Sequence, residues 1–439
     1  MIEENLLREV LVGQKQTFLN KKNLFQREVM ANFYQKYSQL KEIIFITGLR
    51  RCGKSSLLKL IWDDFKKRNS LSNEQFLYLN FEDERLVHFD EKDFSKILEA
   101  YYQLYSPSKN KKIWLFLDEI QNIPYWEKWL NRIYEEGKYK IFITGSNATL
   151  LSSELAATLT GRNISVDLHP LSFYEYHVFF KKNPLIKKSF FDLEEKAKIK
   201  KNLDSYLLLG GMPEYLKTKS EELMQEYFKN IILRDISTRY NIKYKRELKE
   251  LAHFLLANIG QILSLQKISR AVQIKNISTV KNYLEYLESS FLFSSLPLFS
   301  FSYKKQIYNP KKIYCVDAGF FNTISFRTSK NIGNLLENIV FLELQRDDKE
   351  IFYYKTKSGK EVDFLVKNKE QIESLIQVSF ALESEQTITR EESSLLEAME
   401  ELGLKSSFLI NNQIEKKKLF KDKEINYIPF WKWALGNRI

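Results

Sequence analysis

Cysteine is nearly absent: the chain holds two, Cys52 and Cys315. Two thiols cannot frame a disulfide-stapled domain, and such usage fits a reducing interior. No apolar run approaches the roughly 20 residues needed to span a bilayer. The opening Met1-Ile2-Glu3-Glu4-Asn5 is too acidic for a secretory leader. A cytoplasmic protein with no membrane contact is expected. Low-complexity tracts and internal repeats are also missing. Glycine is sparse, with 14 residues in 439, so a cluster of glycines carries weight.

The material present is that of a globular chain of two to four domains, 44% hydrophobic and 28% charged. Thirty-two Phe, 24 Tyr and 6 Trp supply several cores. The formal charge of +12 points to an anionic partner, DNA or an acidic protein surface, or else to a solubilising lysine coat.

The glycine cluster follows the apolar run Ile43-Ile44-Phe45-Ile46-Thr47. It reads Gly48-Leu49-Arg50-Arg51-Cys52-Gly53-Lys54-Ser55, and a helical pattern opens at Ser56. Strand, G-x-x-x-x-G-K-S and helix together predict a phosphate-binding loop. Its amides would turn onto a triphosphate at a positive helix end. Lys54 would reach the β- and γ-phosphates, and the Ser55 hydroxyl would hold Mg²⁺.

Ile113 to Leu117 is a second apolar strand, ending in Asp118-Glu119. Asp118 is expected to hold the metal through water, and Glu119 to orient and polarise the attacking water. The bland reading makes them helix-capping charges. A third strand, Lys140 to Thr144, breaks into Gly145-Ser146-Asn147. Ser146 or Asn147 would sit between γ-phosphate and water, unless the segment is an ordinary turn. Arg162 precedes another strand. It is either an arginine finger, in its own or a neighbouring subunit of a homo-oligomer, or a solvated cation.

Five strands, 43–47, 75–81, 113–118, 140–145 and 164–168, alternate with helical stretches. That pattern predicts an α/β fold with a parallel sheet, both motifs on its carboxyl edge. The expected organisation is a helical segment 1–40, a P-loop core 41–170, a helical lid 171–240, a helix-turn-helix unit with a wing at 241–302, and an α/β domain 303–439. The third helix of the helix-turn-helix unit offers Lys281 but also Glu285 and Glu288, leaving DNA contact and protein packing equally open.

Gly-Leu-Arg-Arg-Cys-Gly-Lys-Ser, Leu117-Asp118-Glu119-Ile120-Gln121-Asn122, Thr144-Gly145-Ser146-Asn147, Leu159-Thr160-Gly161-Arg162, Leu168-His169-Pro170-Leu171-Ser172-Phe173 and Gly210-Gly211-Met212-Pro213-Glu214 occur in that order. Over about residues 25–385 the chain resembles prokaryotic AAA+-like ATPases that carry a C-terminal PD-(D/E)XK nuclease-type domain. Thr356 to Phe364 resembles that C-terminal domain. The resemblance implies ATP as nucleotide, a winged helix-turn-helix connector and a restriction-nuclease-like fold. It gives Lys54, Ser55, Asp118 and Glu119 the roles above. The matched loop, Gly48, Leu49, Arg50, Arg51, Cys52, Gly53, Lys54, Ser55 and Ser56, would line the nucleotide. Gln121 and Arg162 fall in matching segments.

The nuclease-type pattern fails where its chemistry lies. Glu337 and Asp363 supply two acids, but the next strand reads Gln377-Val378-Ser379. Gln377 lacks the charge for Mg²⁺, and Ser379 cannot replace an ammonium. An inactive domain is expected. The functional expectation is therefore a Mg²⁺-dependent ATPase controlling a DNA or protein contact. The alternatives are an ATP-gated DNA endonuclease and a non-hydrolysing nucleotide-dependent switch.

Overall fold

The computed structural model describes residues 2–108, 110–147, 161–182, 192–325, 332–347 and 349–436. The chain divides into two compact units. One is Met1–His169 with Ser289–Phe291, and the other is Pro170–Glu288 with Leu292–Ile439.

The first unit is built on five strands: β1 (Ile43–Thr47), β2 (Phe76–Asn80), β3 (Ile113–Asp118), β4 (Tyr139–Gly145) and β5 (Asn163–Asp167). All pair in parallel, in the order β2-β3-β4-β1-β5. The central strands β1, β3 and β4 are buried at every position, which is why they read as unbroken apolar runs. Alternation still sorts their side chains between the faces. Leu115, Leu117, Ile141 and Ile143 join the core formed with α1 (Glu4–Leu19), α3 (Phe94–Leu104) and α4 (Trp126–Glu135). On the other face an aromatic layer meets α2 (Lys54–Asn69). Phe142 stacks on Phe116 at 4.9 Å and on Trp114 at 5.9 Å, and Trp62 of α2 stacks on Phe76 at 4.4 Å.

In the second unit, α6 (Lys245–Ala257), α7 (Leu265–Ala271) and α8 (Ile277–Ser289) follow α5 (Leu193–Leu209). A small antiparallel sheet, β6-β8-β7, joins Ile262–Leu263, Lys311–Cys315 and Phe293–Leu296. The expected break at residue 302 therefore cuts this sheet. Lys311–Cys315 was assigned to the C-terminal block, but its backbone pairs with β6 and β7. Nor does Phe291 to Phe301 run on as one wing strand: after β7 the chain bonds beside Tyr353, through Phe299 N–H to the Tyr353 carbonyl at 2.8 Å.

A six-stranded mixed sheet ends the chain, in the order β13-β14-β12-β11-β10-β9. Its strands are β9 (Glu350–Lys355), β10 (Glu361–Asn368), β11 (Gln371–Ser379), β12 (Ser406–Asn411), β13 (Lys416–Phe420) and β14 (Lys423–Pro429). Helices α9 (Ile332–Leu344) and α10 (Glu385–Leu402) pack on it. Segment 171–182, the start of the expected lid, is fastened within this second unit. The Phe173 N–H donates to Glu343 at 2.8 Å, and Arg346 donates to the Pro170 carbonyl at 2.7 Å.

Phe142→Ala would empty the centre of the aromatic layer. The expected loss is about 3–5 kcal/mol, read as a lowered urea midpoint in tryptophan fluorescence; an unchanged midpoint would refute the packing described.

Candidate functional site

The carboxyl edge of the first sheet gathers the motif residues because parallel strands end on one side. The loop leaves β1 at Gly48, whose φ is 146°. A Cβ there would stand 2.2 Å from the Leu168 carbonyl oxygen, so only glycine fits this close crossing. Arg51 and Gly53 also take positive φ, 69° and 108°, and turn the chain into α2. Gly53 precedes the helix without a side-chain cap, so the positive end of α2 opens at the loop.

Lys54 is buried at 4% exposure and folds back over its own loop. It donates to the Gly48 and Leu49 carbonyls at 3.1 and 3.2 Å, and pairs with Glu119 Oε1 at 3.3 Å. Burial opposes its charge most strongly, but Glu119 together with Cys52 and Asp118 offsets it, and the ammonium stays above its ordinary pKa. Burial likewise presses Glu119 upward, yet Lys54 and the Gln121 amide, which donates at 2.5 Å, bring its carboxyl below the usual range. Asp118 beside it shifts the other way. Burial and then the Glu119 charge raise it against hydrogen bonds from Ser55, Thr144 and Tyr78.

Asp118 is 1% exposed. Tyr78 donates to its Oδ2 at 2.7 Å, and Thr144 donates to Oδ1. Thr144 also accepts the Glu119 N–H at 2.9 Å. Because β4 lies between β1 and β3, Thr144 positions both acids from the intervening strand. Ser55 and Asp118 thus meet, and Lys54 and Glu119 meet. Ser146 and Asn147 follow β4 directly and are buried at the same edge.

Arg162 stands elsewhere. It lies at the start of β5, where its carbonyl accepts the Ile43 N–H at 2.9 Å. A strand about 16 Å long separates it from Gly48. Its guanidinium is paired with Glu135 at 2.5 Å and with Asn131. A contact with phosphate in its own subunit does not fit this place, because it sits at the amino edge of the sheet.

Three supports escaped sequence reasoning. Thr144 was visible in the polar strand end but was passed over for its neighbours. Arg27 is 6% exposed and donates to the Cys52 carbonyl at 3.2 Å and the His169 carbonyl at 2.6 Å; nothing local in the sequence announces it. The buried Cys52 thiol donates to the Leu168 carbonyl at 3.3 Å, and burial raises its pKa, so it packs the loop rather than serving as a nucleophile.

A second cluster occupies the C-terminal sheet. β10 carries an irregularity between Val362 and Leu365, which re-aims Asp363. Lys312 from β8, 1% exposed, donates to Glu337 and Asp363 at 2.8 Å each and to Glu361 at 2.7 Å. Tyr314, on the same face of β8, donates to Glu337 at 2.7 Å. Burial, then the Asp363 charge, push Glu337 up to about 7 against Lys312. Gln377 donates to Glu391 at 2.7 Å, and Ser379 only to the Ala381 carbonyl at 3.2 Å. An ammonium does enter this cluster, from a strand the motif did not include. Its clue was Lys312 leading directly into the apolar Ile313-Tyr314-Cys315.

The first site lies within a stretch that matches a known family model. Residues 40–177 match the family described as AAA domain; residues 200–331 and 332–433 match two domains of unknown function, DUF8612 and DUF4143. An uncharacterized protein of Methanocaldococcus jannaschii is 34% identical over 455 residues, covering 99% of this chain and 96% of its own length. An uncharacterized protein of Haemophilus influenzae is 32% identical over 363 residues, covering 80% and 86%. The first unit thus carries an AAA-type domain on a parallel α/β sheet. The chain belongs to the same family as the archaeal protein. Among solved structures, the Aeropyrum pernix ORC1 protein in complex with DNA aligns over 71% of this chain and 95% of its own, at 11% identity and TM-score 0.32. AMPPCP-bound DnaA from Aquifex aeolicus aligns over 60% and 87%, at 18% identity and TM-score 0.26. Both likenesses are too loose to carry an argument about function.

Lys312→Met would leave Glu337 and Asp363 as buried like charges without a counter-ion. The expected cost is about 3–5 kcal/mol near neutral pH. The folded variant would hold carboxyl protons that the unfolded chain has released, so its stability falls as pH rises. In the wild type Glu337 already keeps its proton up to about pH 7, so the deficit should grow as pH rises above about 7, where only the variant still holds it. Thermal unfolding of variant and wild type at pH 5 and pH 8 checks this; equal deficits would overturn it.

Proposed function

We propose that the chain is a Mg²⁺-dependent ATPase whose nucleotide state controls a DNA or protein contact. The observation that carries the reading is the convergence of Lys54, Ser55, Asp118 and Glu119 at one sheet edge. Ser55 and Asp118 offer adjoining oxygens of the hard type Mg²⁺ takes, so the donor set fits the ion. When bound, the ion would neutralise charge on the phosphates. Lys54 and the positive end of α2 would hold the triphosphate. Glu119 would serve as general base for water, with Gln121 fixing its carboxylate. Ser146 or Asn147 would face the γ-phosphate.

Lys54 cannot serve Glu119 and a phosphate equally. A triphosphate would draw the ammonium outward and release the carboxylate to face water. Nucleotide binding and arming of the base would then be one event. Its output route is short: the loop is bonded through Cys52 and Arg27 to Leu168 and His169, the last residues before the chain enters the second unit. We assign α6, α7, α8 and the β6-β8-β7 sheet as a winged helix-turn-helix and the six-stranded sheet as the nuclease-like domain. The first rests on three helices interleaved with the strands of a three-stranded antiparallel sheet. The second rests on the placement of Glu337 and Asp363 on adjoining elements. Arg162 would act only on a neighbouring subunit.

An ATP-gated endonuclease is the weaker reading. It needs carboxylates free for a metal, and Lys312 already takes one oxygen from each of three acids. Steady-state phosphate release tests the main proposal. Lys54→Ala should lower ATP hydrolysis at least 100-fold; unchanged turnover refutes it. Glu119→Gln should abolish turnover while ATP affinity stays equal or rises a few-fold, since the competitor for Lys54 loses its charge. Weakened binding would show that Glu119 has another role. Wild-type binding without turnover would instead support a nucleotide-dependent switch.

A further inference from the structure

A cleft of about 550 Å³ opens in the first unit, apart from the phosphate loop. It is lined by Glu91, Lys92, Phe94, Ser95, Tyr125, Lys128, Trp129 and Arg132. Its three cations, Lys92, Lys128 and Arg132, are exposed, with Glu91 as the one acid of the lining. Most lysines and arginines near a surface acid pair with it. Here neither Lys92 nor Arg132 has a carboxylate partner among the described residues. Lys128 lies over the Tyr125 ring, 5.0 Å from its centre.

The aromatics are arranged in two tiers. Phe94 and Trp129 are buried and stacked at 4.9 Å and 20°, forming a rigid floor. Tyr125 caps the start of α4 at the cleft and is 54% exposed. The cleft therefore offers an exposed ring and three positive charges.

We propose that this cleft binds single-stranded nucleic acid. One base stacks on Tyr125, and two or three backbone phosphates lie against Lys92, Lys128 and Arg132. Ring faces spaced among cations suit this ligand, because every base has a π-face and every linkage an anion. An acidic peptide would use the cations but has no base to stack on the Tyr125 ring. The inference is independent of the nucleotide assignment, since the site shares no residue with the phosphate loop.

Fluorescence anisotropy of a labelled 20-nucleotide oligo-dT tests it, with the full chain and no ATP. Tyr125→Ala should weaken binding roughly 5- to 100-fold, the range for loss of one base stack, and Tyr125→Phe should restore it. The triple variant Lys92→Ala, Lys128→Ala, Arg132→Ala should reduce the slope of log affinity against log salt by about 2, at roughly 0.7 for each lost phosphate contact. Lys416→Ala with Lys417→Ala, on the exposed strand β13, serves as the control and should change neither value. Unfolding midpoints matched to wild type keep the comparison valid. Wild-type affinity in Tyr125→Ala would overturn the proposal. So would equal losses in the control, or tighter binding of a labelled poly-glutamate peptide of the same charge.

Discussion

The first unit is arranged around one buried contact, Lys54 against Glu119. An ammonium and a carboxylate removed from water need each other, because either alone would be driven to its neutral form. Asp118 adds a second negative charge beside them, so the pocket holds two acids and one cation. Protein groups absorb part of that excess. Three hydroxyls, from Ser55, Thr144 and Tyr78, point their dipoles at Asp118. The result is a pair of neighbouring acids pushed in opposite directions, Asp118 up and Glu119 down. Such a divergence divides labour between like residues.

The sheet order explains how the contact is made. β1 brings the loop and β3 brings the acids, yet these strands are not adjacent. β4 separates them and contributes Thr144 to both acids at once. Backbone pairing of β4 with β1 and with β3 fixes the register of the three strands, so the strand ends keep their spacing. The phosphate loop is then tied behind by backbone carbonyls of Leu168 and His169, through Cys52 and Arg27. Of the loop's three positive-φ residues two are glycines, so only Arg51 carries a backbone cost there.

Much of this was legible in the chain. Buried parallel strands write themselves as apolar runs, and the loop motif gives its geometry through glycine spacing. Asp118 and Glu119 could be placed because a strand end fixes its own edge. What escaped depended on the third dimension. Arg27 reaches Cys52 and His169 across 25 and 142 residues. Arg162 looked like a phosphate ligand beside a glycine, but the parallel register sends it to the opposite edge. Lys312 falls by position in the expected α/β domain 303–439. Its strand instead pairs backward with β6 and β7, and that pairing delivers the lysine to acids 25 and 51 residues ahead. Motif spacing describes contacts within an element or between consecutive ones, and these are neither.

The two buried lysines show how similar chemistry serves opposite ends. Lys312 meets three carboxylates at 2.7 to 2.8 Å, one for each of its hydrogens. Its donors are saturated and its pairs are short, so nothing is left to exchange. It works as a fixed counter-ion that joins β8, α9 and β10, and it stands where a mobile cation would have to enter. Lys54 meets one carboxylate and two loop carbonyls at 3.1 to 3.3 Å. Those contacts are longer, and two are made to neutral dipoles. A phosphate oxygen carries more charge than either carbonyl and would displace them at little cost. Only the second arrangement leaves an ammonium able to change partners. The difference between a staple and a switch therefore lies in how completely the surrounding oxygens satisfy the lysine.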